Sequence, residues 1–259
     1  MRLLYLLLFI LMLPLRSQGQ LDQSKFDSLI STLDESTPPQ DLFLTYHNLS
    51  KHSSNLEVSI YFGEEALRIA EELDDEANIA KAHLRLNNPW RRKGDLEIAL
   101  SHAFIALDIY KKIKRHRGTS VALNVIGSTY SSLENYELAV SYTKQAVKIN
   151  ADLQRVVKLA NDYNNLGEAY RLWHKLDSAM IYFEKALEIY LQEDEDFGIA
   201  YATGNIGLVY AERGDFDLAE EKINEATIIH DRLGDRYPIA VYQTYLADIY
   251  RERGIWTWR

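Results

Sequence analysis

The chain has 259 residues, with 29 basic and 38 acidic side chains, a formal net charge of −9 and no cysteine. The 47% share of apolar residues excludes a disordered chain, and the missing cysteine excludes disulfides, thiolate metal sites and a cysteine nucleophile. The acidic balance argues against nucleic acid as the main partner, and the length allows one or two compact domains or one elongated repeat array.

Residues 1–19 have the pattern of a signal peptide. Arg2 supplies a positive charge, residues 3–15 form an apolar stretch, and Ser17 and Gly19 are the small residues that a signal peptidase reads. The stretch is too short for a membrane-spanning helix, which needs roughly 20 apolar residues. We therefore expect cleavage near Gly19/Gln20 and a periplasmic or extracellular mature chain; an uncleaved N-terminal anchor is the alternative.

Residues 20–39 are predicted to hold an N-terminal capping helix. The segment from Lys25 to Leu33 is amphipathic, and Pro38 and Pro39 end it. The rest of the chain, residues 40–259, is predicted to be one repeat array. Its repeats start near residues 40, 80, 120, 160 and 200, and a half repeat covers residues 240–259.

From residue 56 to residue 254 the sequence repeats every 40 residues without a gap. Small or apolar residues recur in fixed columns along this range. The clearest columns are Ala66, Ala106, Ala146, Ala186 and Ala226; Ile69, Ile109, Ile149, Ile189 and Ile229; Leu86, Ile126, Leu166, Ile206 and Leu246; and Trp90, Tyr130, Tyr170, Tyr210 and Tyr250. Chance does not produce several such columns in one register.

Each repeat is predicted to form two helices. Leu166, Gly167 and Tyr170 share one face of a first helix, whereas Ala179 and Ala186 share one face of a second. Turn-forming pairs, such as those at residues 94–95 and 214–215, separate the two helices. One hairpin cannot bury both of its faces, so the repeats must stack on each other.

Residues 80–254 resemble tetratricopeptide repeats (TPRs). The TPR pattern of aromatic, Leu-Gly, Tyr, Ala, aromatic and Ala is met in the fourth repeat by Tyr163, Leu166-Gly167, Tyr170, Ala179, Phe183 and Ala186. The resemblance implies an all-α fold, a right-handed solenoid of stacked antiparallel helix hairpins. The usual TPR period is about 34 residues, and we expect the extra residues to lengthen the second helix and the loop after it.

Pro89 departs from the repeat pattern because it lies inside a predicted first helix. Proline removes one backbone hydrogen bond and clashes with the preceding turn. We expect a kink or an early end of that helix.

The sequence carries no recognisable catalytic or metal-binding motif. None of its seven histidines pairs with another at the three- or four-residue spacing of a helical metal site, and it lacks His-Glu-x-x-His, Gly-x-Ser-x-Gly and a phosphate-binding glycine loop. We predict a chain that is not an enzyme and that has no metal and no cofactor. An enzyme with an unrecognised groove-borne site, for instance a hydrolase, is the alternative.

The TPR resemblance implies that the first helices line a concave groove. A side-chain amide offers a donor and an acceptor together, so asparagines in this groove could bind the backbone of an extended peptide. This pattern resembles the asparagine ladder of some TPR grooves; a solvated helix face that tolerates asparagine is the alternative. The predicted partner-binding residues are Lys81, Arg85, Asn124, Asn161, Asn164, Asn165, Glu168, Arg171 and Asn205.

The predicted function is that of a non-catalytic scaffold that binds an extended peptide or protein segment, without nucleic acid and without a membrane span in the mature chain. The domain organisation resembles the exported sensory front of bacterial TPR-containing sensor kinases and of membrane-bound helix-turn-helix regulators. It implies the ligand-sensing or partner-binding part of an envelope signalling protein; a free-standing assembly scaffold is the alternative. The half repeat with Trp256 and Trp258 predicts self-association, unless its helix is a cap.

Overall fold

The computed structural model describes residues 37–252, and within that range every regular element is an α-helix. The helices are α1 Pro39–His52, α2 Leu56–Glu72, α3 Glu76–Lys93, α4 Leu96–Lys112, α5 His116–Ser132, α6 Tyr136–Asp152, α7 Val156–Leu172, α8 Leu176–Gln192, α9 Asp196–Arg213, α10 Phe216–Leu233 and α11 Arg236–Glu252. The predicted all-α fold is confirmed. None of these helices combines the length and the hydropathy needed to cross a bilayer. The predicted signal peptide, nearly all of the predicted capping helix, Trp256 and Trp258 lie outside the described residues.

The turns between helices from α2 to α11 share one left-handed residue, which recurs every twenty residues. The residues with positive φ are Asp74, Gly94, Lys114, Glu134, Gln154, His174, Asp194, Gly214 and Gly234. The residue after each of them donates its backbone N–H to a carbonyl five positions back, as Arg115 does to Tyr110 at 2.8 Å. This bond is the long hydrogen bond of a Schellman motif, and it satisfies a carbonyl at the helix end.

First and second helices are almost equal in length, since α2 to α11 each have 17 or 18 residues. The loops between them are equally short. The expectation that the extra residues of the 40-residue period lengthen the second helix and its loop is therefore wrong. Because the same capping turn closes both helices of a hairpin, the extra length is shared between them.

The chain divides into two compact units, residues 1–125 and 126–259, and the boundary falls inside α5. In the described part of the first unit, α1 to α4 pack in chain order, and α1 also contacts α3. In the second unit, α6 to α11 likewise include neighbouring pairs in chain order, such as α6 with α7 and α9 with α10. There α9 also contacts both α7 and α11. In each unit, therefore, first helices touch other first helices directly.

The alanine column and most of the column that begins with Leu86 lie in the core, whereas the isoleucine and aromatic columns are mostly half-buried. All five alanines of the alanine column are fully buried, and Leu86, Ile126, Leu166 and Ile206 are at most 6% exposed. Small residues bring the helices close together at these positions. A Cβ added to Gly207, for example, would lie 2.8 Å from Cγ1 and 3.1 Å from the backbone nitrogen of Ile223 in α10, so a larger residue would have to push α10 away.

Pro89 does not end its helix. Helix α3 continues to Lys93 and stops at Gly94, whose φ of 94° caps it. Of the two expected outcomes, a kink or an early end, the early end is therefore wrong. Pro89 lies near the C-terminal end of α3 with its ring buried, so the packing of that ring offsets the loss of one hydrogen bond.

Ion pairs connect the start of one helix to the end of the next at a constant separation of 36 residues. The pairs are Glu57–Lys93, Glu76–Lys112, Asp177–Arg213 and Asp196–Arg232. Each places an acid near a helix N-terminus and a base near a C-terminus, where both complement the helix dipole. Because most of these side chains are largely solvent-exposed, each pair contributes little to the free energy of unfolding.

Candidate functional site

In the second unit, polar side chains join the first helices α7 and α9 directly. Asn205 donates from Nδ2 to the Oδ1 of Asn164 at 3.1 Å, and Arg171 donates to Glu212. Both contacts join residues 41 positions apart, so they belong to one side-by-side packing of two first helices. Asn164, Asn205 and Arg171, all predicted from sequence to contact a partner, therefore lie along the same contact.

Arg171 is held on both sides by carboxylates. Its Nε and Nη2 donate to the two carboxylate oxygens of Glu168, each at 2.7 Å, and its Nη1 donates to Glu212. The side chain is only 7% exposed. Burial disfavours the charged form, but the hydrogen bonds and the charge of Glu168 outweigh it, so the pKa of Arg171 is raised above its ordinary value. Arg171 is thus fixed in place, and the cluster carries one excess negative charge.

The amides of Asn164 and Asn205 retain hydrogen-bonding capacity after they bond to each other. One bond uses one of the two N–H donors of Asn205 and one lone pair of the Asn164 oxygen. The NH₂ of Asn164 and the oxygen of Asn205 can then serve a further partner. Both residues are only half-buried, so such a partner can reach them from solvent.

The other two predicted asparagines of α7 differ from this pair. The Oδ1 of Asn161 accepts a hydrogen bond from the hydroxyl of Tyr190 in α8 at 2.7 Å, which ties it to the second helix of its own hairpin. Burial, followed by the charge of Asp162, raises the pKa of Tyr190, so its hydroxyl stays protonated and donates. Asn165 is exposed. Of the asparagines predicted on α7, Asn164 is the one that reaches a neighbouring first helix.

The two predicted basic residues of the first unit, Lys81 and Arg85, lie on α3. Lys81 is exposed, and its Nζ lies 5.9 Å from the ring centroid of Phe43 in α1. The Nε of Arg85 is buried and finds no hydrogen-bond partner among residues 37–252, and burial lowers the pKa of this guanidinium. The ring of Phe43 stacks on His47 at 5.7 Å. Burial and the charges of Arg85 and Lys81 lower the pKa of His47 to about 4.

Asn124 lies on α5 in the first unit, where it is half-buried. Within the second unit, two asparagines of the predicted row, Asn164 and Asn205, are hydrogen-bonded to each other.

Histidine and acidic side chains do not gather into a metal-binding cluster in the described range. No group of three or more histidine or acidic side chains within residues 37–252 is placed to hold a metal ion. Sequence reasoning missed one histidine pair, His83 and His102, which lie on adjacent antiparallel helices with their Nδ1 atoms 2.8 Å apart. They are 19 residues apart in sequence, so a search for pairs within one helix does not find them.

The profile of the soluble NSF attachment protein (SNAP) family matches residues 51–235, well over half of the chain. No curated protein matches the sequence. A Rap protein complexed with competence and sporulation factor is similar in structure, with a TM-score of 0.75, 16% identity, and coverage of 88% of this chain and 67% of that protein. The apo form of RapI gives a TM-score of 0.60 at 17% identity, with coverage of 90% and 92%.

A third similar structure is a putative kinesin light chain of Podosopora anserina with nearly identical TPR-like repeats. It gives a TM-score of 0.59 at 16% identity, with coverage of 76% of this chain and 97% of that protein. At these identities the likeness establishes the fold alone. The family profile and the stacked helix hairpins agree, and the chain belongs to the SNAP family of TPR-like helical repeat proteins.

Proposed function

We propose that this chain is a non-catalytic scaffold whose first helices bind an extended peptide or protein segment. The observation that carries the proposal is the Asn164–Asn205 amide pair, which joins two first helices and keeps a donor and an acceptor for a further partner. The repeat fold supports a scaffold, because stacked hairpins present extended faces for binding. The similar Rap structure, which holds competence and sporulation factor, supports a peptide-sized ligand.

The chemistry of the pair favours contact with a peptide backbone over contact with particular side chains. Each peptide unit offers one N–H and one C=O, which match the capacity left on the two amides. A single hydrogen bond contributes about 0.5–1.5 kcal/mol net. We therefore expect weak binding of short peptides and an affinity that rises with peptide length.

The neighbouring cluster of Arg171, Glu168 and Glu212 would determine the net charge of this face. Glu168 and Glu212 leave it with one excess negative charge, whereas Lys81 and Arg85 make the corresponding helix of the first unit basic. A segment bound to the second unit should therefore carry few acidic residues near this cluster.

The test is a peptide selection followed by direct titration. Decapeptides displayed on phage are selected against the parent chain, and the enriched peptide is synthesised and titrated by calorimetry. We expect the double variant Asn164→Ala, Asn205→Ala to weaken binding at least tenfold with unchanged helix content, since alanine is the better helix former. The matched control is Asn224→Ala, an exposed asparagine on the second helix α10. Equal affinities for the parent and the double variant would refute binding through the amide pair.

We also propose that the scaffold works outside the inner membrane, as the partner-binding part of an envelope signalling protein. The support is the signal-peptide pattern of residues 1–19 and the likeness in domain organisation to exported TPR sensor fronts. Expression of the whole chain in a bacterial host, followed by fractionation and N-terminal sequencing, tests it. A periplasmic product that begins at Gln20 is expected, and a cytoplasmic product that begins at Met1 would contradict it.

Self-association through residues 240–259 is a further part of the proposal. Trp256 and Trp258 follow α11 in the sequence, and tryptophans that are left uncovered would give the chain an exposed apolar surface. Sedimentation velocity at rising concentration should then show dimers in the parent and fewer dimers in the variant Trp256→Ser, Trp258→Ser. A monomeric parent at all concentrations would instead make the last helix a cap.

A further inference from the structure

Two imidazole rings meet between α3 and α4 in the first unit, and neither belongs to the predicted partner-binding set. The Nδ1 atoms of His83 and His102 lie 2.8 Å apart, and the ring centroids lie 5.1 Å apart with the planes tilted by 40°. His83 is 8% exposed and His102 is half-buried. The site is therefore partly shielded but open to solvent on the His102 side.

The packing of the hairpin does not require imidazoles at these two positions. In the repeat that starts near residue 160, the corresponding positions hold Tyr163 and Tyr182, whose ring centroids lie 5.9 Å apart. Two aromatic rings thus fill the same place between the two helices of a hairpin. In the first unit the two rings are histidines, and their Nδ1 atoms face each other across the contact.

Both imidazoles are in the state that a metal ion needs. Burial lowers the pKa of each ring, and for His83 it falls to about 4. Both rings are therefore neutral at pH 7, and protons compete little with a metal for their lone pairs. In the metal-free state one ring donates Nδ1–H to the other. Its proton moves to Nε2 when both Nδ1 atoms bind a metal, so binding needs no net proton release.

The distance between the two nitrogen atoms discriminates between coordination geometries. With metal–nitrogen bonds of about 2.0 Å, two ligands at 90° lie about 2.8 Å apart, whereas two ligands at a tetrahedral angle lie about 3.3 Å apart. The observed separation of 2.8 Å is that of a hydrogen bond between the two rings, and it also equals the spacing of adjacent ligands on a square-planar or tetragonal ion, so such an ion needs little change in this distance. Such geometry with nitrogen ligands is typical of Cu²⁺ and Ni²⁺, and Cu²⁺ binds more tightly in the usual order of stability.

We propose that His83 and His102 form a two-histidine binding site for Cu²⁺ or Ni²⁺, with solvent in the remaining coordination positions. The ion would cross-link α3 to α4 inside one hairpin. The site is independent of the proposed peptide-binding face, because it uses neither the asparagine pair nor the Arg171 cluster. A metal ion that binds only the folded state stabilises it by RT ln(1 + c/Kd), where c is the free metal concentration, so the free energy of unfolding keeps rising with the logarithm of the metal concentration.

The test uses the chain without any histidine tag and CuCl₂ or NiCl₂ as the probe. We expect the parent to bind one Cu²⁺ with electron paramagnetic resonance couplings from two imidazole nitrogens, and its thermal midpoint to rise with metal concentration. His102→Tyr removes one ligand and places at this position the residue found in later repeats, so its fold should be retained. We expect at least a tenfold loss of affinity and the loss of the two-nitrogen signal in this variant.

His83→Gln should have the same effect, and circular dichroism checks that this more buried substitution leaves the helices intact. The matched control is His116→Gln, an exposed histidine at the start of α5, which should bind as the parent does. If the parent and His102→Tyr give the same couplings and the same affinity, or if the parent shows no binding at micromolar Cu²⁺, the pair is a hydrogen bond between two rings and the proposal is wrong.

Discussion

Gly94 and Lys114 adopt the same left-handed backbone conformation in successive turns, with φ values of 94° and 53°. Glycine adopts the left-handed region of backbone dihedral angles without strain, whereas lysine, which has a Cβ atom, does not. The left-handed conformation costs an L-residue about 1–2 kcal/mol. Six non-glycine residues adopt this conformation in the turns, and the backbone strain at each of them lowers the free energy of unfolding.

Lys114→Gly should raise the free energy of unfolding by roughly 0.5–1 kcal/mol, because the relief of backbone strain exceeds the extra freedom of glycine in the unfolded chain. Gly94→Ala should lower it by about 1 kcal/mol. A Cβ at Gly94 meets nothing within 4 Å, so this change isolates the backbone effect. Urea unfolding followed by circular dichroism measures both; shifts of the same sign would contradict the explanation.

Ala186→Leu should destabilise the second unit by roughly 1–3 kcal/mol through overpacking. Ala186 is fully buried between α7 and α9, where it packs with Ala160 and Ala202. The leucine would push α8 away from both neighbours. Ala151→Leu, at an exposed position near the end of α6, is the control and should leave the thermal midpoint unchanged.

Arg171→Met should cost about 2 kcal/mol or more, since it leaves two carboxylates side by side without their shared cation. Addition of Glu168→Gln and Glu212→Gln to this variant should recover much of the loss, because the repulsion disappears. Denaturant unfolding of the single and triple variants tests the coupling. If the triple variant is no more stable than Arg171→Met, the cluster does not act as one charge network.

His47 should make the fold sensitive to acid. Its pKa in the folded chain is lowered to about 4 by burial and by nearby cations, against an ordinary value of 6.5. The unfolded chain therefore binds a proton on His47 at a higher pH than the folded chain does. Its contribution to stability is present above pH 6.5 and is lost as the pH falls from 6.5 towards 4. His47→Gln should flatten the stability curve in that window.

Arg85→Gln should raise the pKa of His47, because it removes the positive charge that comes next after burial in lowering that pKa. Histidine resonances followed by NMR during a pH titration measure the shift. Arg92→Gln, on the exposed side of the same helix, is the matched control and should leave the pKa of His47 as it is in the parent. Identical shifts in both variants would contradict a specific contribution of Arg85.

Much of the fold could be predicted because small residues recur at the positions where two helices pack closely. Ala186 and Gly207 stand where two backbones approach, and a larger residue would be visible as a break in the column. The twenty-residue recurrence of the turns was not predicted, because the residue types at the turn positions do not repeat. Lys114 and Gln154 adopt the conformation of Gly94 because hydrogen bonds of the helix ends impose it, and side-chain chemistry gives no sign of it.

The residues of the candidate site could be predicted where they share one face of a single helix. The contacts that join two helices could not be predicted from the sequence. Asn164 and Asn205 were found because they lie at neighbouring positions on the same face of the first helix in successive repeats. The engagement of Asn161 by Tyr190 and the meeting of His83 with His102 depend on how a second helix turns against a first. That rotation follows from the packing of the whole hairpin, so spacing within one helix cannot reveal it.

The constant turn has a consequence for how such a chain can change in length. One helix with its turn occupies twenty residues, but the residues that suit the binding face recur only every forty. Loss or gain of one helix with its turn would keep every capping turn intact. It would, however, put a second helix in the place of a first helix, and a first in the place of a second, in all of the chain that follows. Alanine-rich packing helices would then stand where the amide-bearing helices belong. Insertion or deletion of a single helix is therefore compatible with the backbone geometry of the turns. The proposed binding face is preserved only when a whole hairpin is inserted or deleted.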